Sequence, residues 1–322
     1  MPVLTTSSYR KAPFYQWTGN LQTILPSLLR SIEGVQYERE RLILSDGDFV
    51  DLDWIDNGQR RLVILTHGLE GNSQRHYIRG AAKFFSQQKW DILAWNCRSC
   101  SGEMNRGPRL YNHGEIEDFT EVVNHAATAK DYQQIVLIGY SMGGSITLKY
   151  LGVQAARLPE IITHGIAFSS PCYLKPSADS LNRWSNWIYK KRFLQMLSEK
   201  MRKKAAQFPN LIDPDKLDQV DQWRDFDEHF SAPLSGFETA DAFYEYASAA
   251  NFMSTITIPV LLVNTQNDPI IPPACTPVQL CQRHPSIFLE QPKVGGHIGF
   301  MTSDRSVSWM ETRAMDFING KR

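Results

Sequence analysis

Neither charge is in excess in this sequence. Its 322 residues carry 34 Lys plus Arg and 34 Asp plus Glu, a formal net charge of zero. No overall field therefore draws the chain toward nucleic acid or an anionic membrane, and no nucleic-acid partner is expected. Cysteine is scarce and odd in number. Five thiols spread from Cys97 to Cys281 do not make the dense, even pattern of a secreted disulfide scaffold. Cys97-Arg-Ser-Cys100 spells C-x-x-C, but a zinc ribbon needs a second pair and a thioredoxin-type site needs a helix N-terminus in a small redox fold, so reduced thiols are expected. Long apolar runs are missing as well. Met1 to Trp17 mixes Ser, Thr, Arg and Lys without the apolar core of a signal peptide, and no later segment approaches the roughly 20 apolar residues of a spanning helix. A cytoplasmic location is expected. No repeat, low-complexity tract, metal-ligand cluster or phosphate-binding loop stands out, and no cofactor or metal is expected.

What is present is material for a sizeable core, since 42% of the residues are apolar. Two strand-like runs, Tyr37 to Leu44 and Phe49 to Trp54, flank Ser45-Asp-Gly-Asp48, whose Asp-Gly pair predicts an antiparallel hairpin. Beyond it the pattern alternates. Strands are predicted at Arg61 to Thr66, Asp91 to Trp95, Val136 to Ile138, Ile161 to Ser169, Ile258 to Asn264 and Ser286 to Glu290. Helices are predicted at Tyr77 to Gln87, at Glu115 to Ala129 and after the strand ending at Ile138. Such alternation implies a mostly parallel sheet with helices on both faces.

The most informative stretch is Ile135-Val-Leu-Ile-Gly-Tyr-Ser-Met-Gly-Gly-Ser145, a β-branched strand running into G-x-S-x-G and then a helix. In a nucleophile elbow the serine sits in a strained turn, and the flanking glycines spare the bend a collision of β-carbons. Ser141 is therefore the candidate nucleophile. A serine hydroxyl needs a base, and the base a carboxylate to orient it. Asp268, in Thr265-Gln-Asn-Asp-Pro-Ile-Ile-Pro272, follows one late strand, and His297, in Val294-Gly-Gly-His-Ile-Gly-Phe300, follows the next. Both loops fall on the sheet edge where Ser141 must lie, and Gly295, Gly296 and Gly299 let the backbone bring His297 in. The remaining histidines, His67, His76, His113, His125, His164, His229 and His284, lack this placement and read as structural or surface groups. Two N–H donors are needed for an oxyanion: Met142, after the nucleophile, and Leu69, in the loop His67-Gly-Leu-Glu-Gly-Asn72.

Between Pro171 and Thr257 the strand–helix alternation stops. This stretch reads as a helical cap inserted in a single domain spanning residues 1–322. Its first half is basic, with Arg183, Lys190, Lys191, Arg192, Lys200, Arg202, Lys203 and Lys204, and its second acidic, from Asp213 to Glu228. The halves are expected to neutralise each other, which disfavours a membrane-surface role for the basic helix. Trp184, Trp187, Tyr189 and Phe193 are expected to line an apolar acyl pocket, with plain core packing as the alternative.

Several segments carry a family likeness: Gly19-Asn-Leu-Gln-Thr-Ile-Leu-Pro26, Asp46-Gly-Asp-Phe-Val-Asp-Leu-Asp-Trp54, His67-Gly-Leu-Glu-Gly71, Cys100-Ser-Gly-Glu-Met-Asn-Arg106, Gly139-Tyr-Ser-Met-Gly-Gly144, Asp268-Pro269 and Gly295-Gly-His-Ile-Gly-Phe300. Through them the chain resembles the YheT-like branch of the α/β-hydrolases over nearly its whole length. The resemblance implies an α/β-hydrolase fold, a Ser141, Asp268, His297 set and hydrolysis of carboxylic esters, lipid esters among them in some eukaryotic relatives. Those relatives carry a membrane anchor ahead of the hydrolase domain, and its absence here favours a soluble bacterial-type enzyme. Arg98-Ser-Cys-Ser-Gly102 and Tyr111-Asn-His-Gly114 depart from the usual Arg-Gly-Cys-Ser-Gly and Tyr-His-Ser-Gly, which unsettles any role carried over to the Arg98 to Glu117 loop. The expectation is a serine carboxylesterase taking a small-molecule or lipid ester. Its rivals are a thioesterase, amidase or carbon–carbon hydrolase on the same residues, and a non-catalytic binding module.

Overall fold

In the computed structural model, which describes residues 3–321, nine strands form one sheet in the order β1-β9-β8-β7-β6-β4-β5-β3-β2. Met1 and Pro2, which open the Met1 to Trp17 segment, lie outside the described residues. The strands are β1 (Val3–Leu4), β2 (Glu38–Ile43), β3 (Phe49–Ile55), β4 (Arg61–Thr66), β5 (Asp91–Asn96), β6 (Gln134–Tyr140), β7 (Ile162–Phe168), β8 (Val260–Val263) and β9 (Ile287–Glu290). From β5 to β1 across the sheet every pairing is parallel, while β3 runs antiparallel to both β5 and β2. The hairpin turns where the Asp-Gly pair predicts it: Gly47 has φ 81° and its N–H donates to Leu44 O at 2.9 Å.

Side chains alternate along the central strands, and both faces are covered. Leu62, Ile64, Leu93 and Leu137 pack with α3 (Glu117–Ala129) and α4 (Met142–Val153) through Phe119, Val122, Ile146 and Tyr150. Val63, Leu65, Ile92 and Val136 pack on the opposite face with α2 (His76–Gln87) and the C-terminal helix Trp309–Ile318, through Ile78, Ala82, Phe85 and Phe317. The predicted strands and helices differ from these elements only at their ends. Among the elements not predicted from the sequence are β1, only two residues long, α1 (Gly19–Leu29), whose polar first turn and internal Pro26 conceal a helix, and the helices Val278–Arg283 and Trp309–Ile318.

Residues 169–259 hold no strand among those described and carry a third apolar cluster, built on α5 (Leu174–Leu181), α6 (Trp187–Gln207) and the helical turns that follow. The expected neutralisation of its two halves does not occur. Among the described residues no side-chain ion pair joins the basic stretch to the acidic one. Lys200 instead pairs with Glu70 at 2.8 Å, Lys204 donates to the carbonyls of Asn105 and Gly107, and Lys190 reaches only the backbone carbonyl of Asp221. The basic helix thus docks on loops of the sheet. No helix among the described residues is long and apolar enough to cross a membrane.

One of those loops, after β5, is pinned by Arg98. Its guanidinium grips Asp118 with two bonds of 2.6 Å and reaches Asp48 at 3.0 Å, all three groups being buried. Burial alone would raise the Asp48 carboxyl, yet donors from Asn105, Arg106, Gly107 and Phe49 hold it down at about 2. The C-x-x-C thiols at the start of this loop are free and buried, and burial pushes Cys100 up to about 11. Arg98→Met would strand two buried carboxylates, and urea unfolding should show a loss of roughly 3–5 kcal/mol.

Candidate active site

The candidate nucleophile gets its position from backbone geometry. Ser141 joins β6 to α4 with φ 54° and ψ −120°, a region costly for any residue with a side chain. The turn is so tight that a β-carbon on Gly139 would lie 2.2 Å from Gly143 O, and one on Gly143 would lie 2.3 Å from Thr66 O. Ser141 N–H is anchored to Phe168 O at 2.8 Å, the end of β7.

The other two sequence-predicted residues meet it there. His297 Nε2 lies 2.9 Å from Ser141 Oγ, and His297 Nδ1 lies 2.8 Å from Asp268 Oδ2. A carboxylate only accepts, so Nδ1 carries the proton and Nε2 turns its lone pair to the serine hydroxyl. Asp268 Oδ1 accepts the N–H groups of Ile270 and Ile271 at 2.8 and 2.9 Å. These bonds fix the carboxylate, whose side chain is 1% exposed, while the imidazole keeps 10% and so remains reachable from the cleft.

The loop after β4 lies directly against the serine, since a β-carbon on Gly68 would come within 3.1 Å of Ser141 Cβ. Gly68 N–H donates to the Tyr77 hydroxyl and Glu70 N–H to the Tyr111 hydroxyl. Between them, Leu69 N–H finds no acceptor among the described residues. Met142 N–H belongs to the first turn of α4, whose donors have no intrahelical acceptor and carry the positive end of the helix dipole. The loop is held from three sides. His67 Nδ1 meets Gly68 O at 2.7 Å while its Nε2 accepts Cys97 N–H at 3.0 Å, and burial lowers this histidine to about 4, keeping it neutral as the two bonds require. Lys200, from α6, and Tyr111 both bond the Glu70 carboxylate.

Sequence reasoning missed the clamp that α1 supplies. Gln22 Oε1 accepts Gly295 N–H at 2.7 Å and the Asn267 amide at 2.9 Å, which ties the histidine loop to the acid loop. The neighbouring Thr23 hydroxyl accepts His297 N–H at 2.9 Å. Pro26 cannot donate to the Gln22 carbonyl four residues back. Gly299 packs on that carbonyl, where a β-carbon would lie 2.1 Å away. Gly295 and Gly296, at φ 137° and 57°, occupy the left-handed region that the loop needs. The sole signal was the Gly19 to Pro26 segment of the family likeness, with no chemistry attached.

A cleft of about 420 Å3 opens over Ser141 and His297, walled by Leu174, Leu181, Phe193, Ile270 and Ile271. A second cavity of about 490 Å3, lined by Leu110, Leu197, Met201, Phe226, Phe230 and Phe243, shares Leu69, His113 and Trp223 with the first. One sequence expectation fails here. Among the four cap aromatics only Phe193 lines the cleft; Tyr189 bonds Asn20, and Trp184 and Trp187 face solvent. His113, read as structural or surface, borders both cavities, and burial lowers it to about 4. Among the described residues no cluster of His, Cys, Asp or Glu is arranged to hold a metal ion.

Two outcomes are expected. Gln22→Leu leaves Gly295 N–H and the Asn267 amide without their acceptor, so thermal melts should show about 1–3 kcal/mol lost. On a turned-over ester, kcat should fall roughly tenfold to a hundredfold with KM little changed, because the loops it ties hold the base. Asp227, in the wall of the second cavity, is raised by burial from 3.8 to about 6 despite the Tyr244 hydroxyl at 2.8 Å. Burial favours the neutral carboxyl, so the stability tied to it is fully present below pH ~4, and folding takes up a proton between pH ~4 and about 6 as that stability is lost. Denaturation of wild type against Asp227→Asn should therefore show wild type alone losing about 2–3 kcal/mol between pH 4 and 7 from this group, at ~1.4 kcal/mol per pKa unit.

The alpha/beta hydrolase fold model matches residues 61–304. Phospholipase ABHD3 of Mus musculus is 29% identical over 329 residues, covering 98% of this chain and 79% of its own. YheT of Escherichia coli (strain K12) is 29% identical over 308 residues, covering 93% of this chain and 89% of its own, in line with the likeness read from the motifs. Among solved structures, the esterase Pf2001 of Pyrococcus furiosus shares the fold with a TM-score of 0.59 at 18% identity, covering 90% of this chain and 97% of that one.

Proposed function

This chain belongs to the α/β-hydrolase fold family, and we propose that it is a serine hydrolase that cleaves carboxylic esters through an acyl-enzyme on Ser141. The observation that carries this reading is the single imidazole bridging Ser141 Oγ at 2.9 Å and Asp268 at 2.8 Å. Relatives named for phospholipase activity and structural neighbours named esterases support the same bond class.

In this reading His297 Nε2 takes the Ser141 proton as Oγ attacks the ester carbonyl, and the carbonyl oxygen becomes an oxyanion. Leu69 and Met142 N–H groups receive that charge, each donor being worth about 10²–10³ in rate. His297 then gives its proton to the departing alkoxide, leaving the acyl group on Oγ and a free alcohol. Asp268 holds the Nδ1–H tautomer and offsets the imidazolium charge throughout. Water, deprotonated by His297, attacks the acyl-enzyme and releases the carboxylic acid. The apolar wall of the cleft and the cavity beyond Leu69 suit an apolar acyl group, a small-molecule or lipid ester. Five free buried thiols suit a reducing compartment such as the cytoplasm.

On a soluble p-nitrophenyl ester, Ser141→Ala and His297→Ala are each expected to lose roughly 10³–10⁶ in kcat, with the double variant little worse than either alone, as members of one unit behave. A fluorophosphonate probe should label wild type and not Ser141→Ala. Equal labelling of both, or comparable turnover by the variants, would remove the reading.

A further inference from the structure

The tryptophans that were expected inside the acyl pocket instead stand in solvent, on a segment that lies in sequence between Leu181 and Phe193 of the cleft wall. Trp184 is 87% exposed, Trp187 49% and Ile188 51%. The short turn Trp184–Asn186 feeds directly into α6, so positions 184, 187, 188 and 191 share one face. That face continues into Lys191 and Arg192, and Arg183 flanks it on the other side; all three are exposed. None of the three cations has an acidic partner among the described residues. Lys190 turns aside toward the Asp221 carbonyl, which sets the acidic segment on the flank of α6 rather than over this face.

The same turn is fastened to the catalytic loops. Asn186 Nδ2 donates to Pro269 O at 2.6 Å, next to Asp268, and the Tyr189 hydroxyl donates to Asn20 Oδ1 at 2.9 Å. Leu181 and Phe193, on either side of the turn in sequence, line the cleft over Ser141. Trp17, 76% exposed, lies three residues before Asn20. Aromatic surface left in water beside unpaired cations has no internal use. A tryptophan ring with its polar N–H suits the headgroup level of a bilayer, and the cations supply local attraction that the neutral chain as a whole lacks.

We propose that the segment 183–192 is an interfacial docking surface that seats the protein on anionic phospholipid membranes. Trp184, Trp187 and Ile188 enter the boundary between headgroups and acyl chains, and Arg183, Lys191 and Arg192 meet the lipid phosphates. Because the segment is continuous with Leu181 and Phe193 of the cleft wall and Asn186 bonds the loop of Asp268, docking would hold the cleft close to the layer from which a lipid ester would be drawn. That last consequence rests on the ester-hydrolase reading; the docking does not.

The test is sedimentation of the full chain with vesicles of equimolar phosphatidylglycerol and phosphatidylcholine, in the Ser141→Ala background so that no lipid is consumed. The parent should pellet with lipid. Its partition coefficient should fall roughly tenfold or more when Trp184→Ser, Trp187→Ser and Ile188→Ser are combined, and by a similar factor when Arg183→Glu, Lys191→Glu and Arg192→Glu are combined. Because these side chains are exposed, melting temperature should stay at the parent value, as should short-chain ester hydrolysis once Ser141 is restored. A parent that stays in the supernatant at every lipid concentration, or pellets equally with the variants, overturns the proposal. So does a lipid-free dimer broken by the apolar substitutions, which would assign the face to a second copy of the chain. Vesicle binding lost in the variants while the wild type hydrolyses no ester would sustain the docking and defeat the hydrolase reading.

Discussion

A serine held at φ 54° between a buried strand and a buried helix is the constraint on which the rest of this molecule depends. Such a backbone costs of order 1–3 kcal/mol and persists only when its surroundings over-determine it. Here β6 is flanked by parallel partners on both sides, α4 is buried along nearly its whole length, and glycines stand at each point where a β-carbon would strike backbone. The strain lifts the hydroxyl into the cleft and brings it to the first, unsatisfied turn of α4. The proposed nucleophile and one proposed oxyanion donor are thus delivered by one bend.

The proposed base and its carboxylate reach that bend from loops after β9 and β8, and both loops are braced from outside as well as within. Gln22, Thr23 and the Gly299 contact bind both to α1, a helix that precedes the first hairpin in sequence and has no part in the sheet. The loop proposed to bind the oxyanion has its own stays in neutral His67, in Tyr111 and in Lys200 from the cap. The proposed reacting groups come from well-separated parts of the chain, and each is fixed by hydrogen bonds to a further element. This is the physical content of preorganisation here.

The sheet and the meeting of Ser141, Asp268 and His297 were legible because strand and helix periods are strong in Arg61 to Thr66, Asp91 to Asn96 and Gln134 to Val153, and because the three residues sit where those strands end. Much of what was illegible is polar or short, although the C-terminal helix Trp309–Ile318 also went unpredicted. Gln22 acts through two hydrogen bonds that no periodicity announces, β1 is too brief to alternate, and Pro26 breaks the helical pattern it sits in. Charge patterning misled in the cap: opposite blocks in sequence suggested mutual neutralisation, but α6 turns Lys200 and Lys204 onto loops of the sheet, whose buried acceptors offer them better satisfied sites than a solvated partner. Aromatic count misled too, since Trp184 and Trp187 fall on the outward face of a helix whose inward face is completed by Tyr189, Leu197 and Met201.

The central claim is tested most directly by trapping the intermediate. Protein turning over an ester with a slowly hydrolysed acyl group is quenched in acid, and its peptides are mapped by mass spectrometry. The acyl mass should appear on Ser141, building up within the first turnover and absent when His297 is replaced. Steady ester cleavage with no acyl group on Ser141, or with the adduct on another side chain, would contradict it.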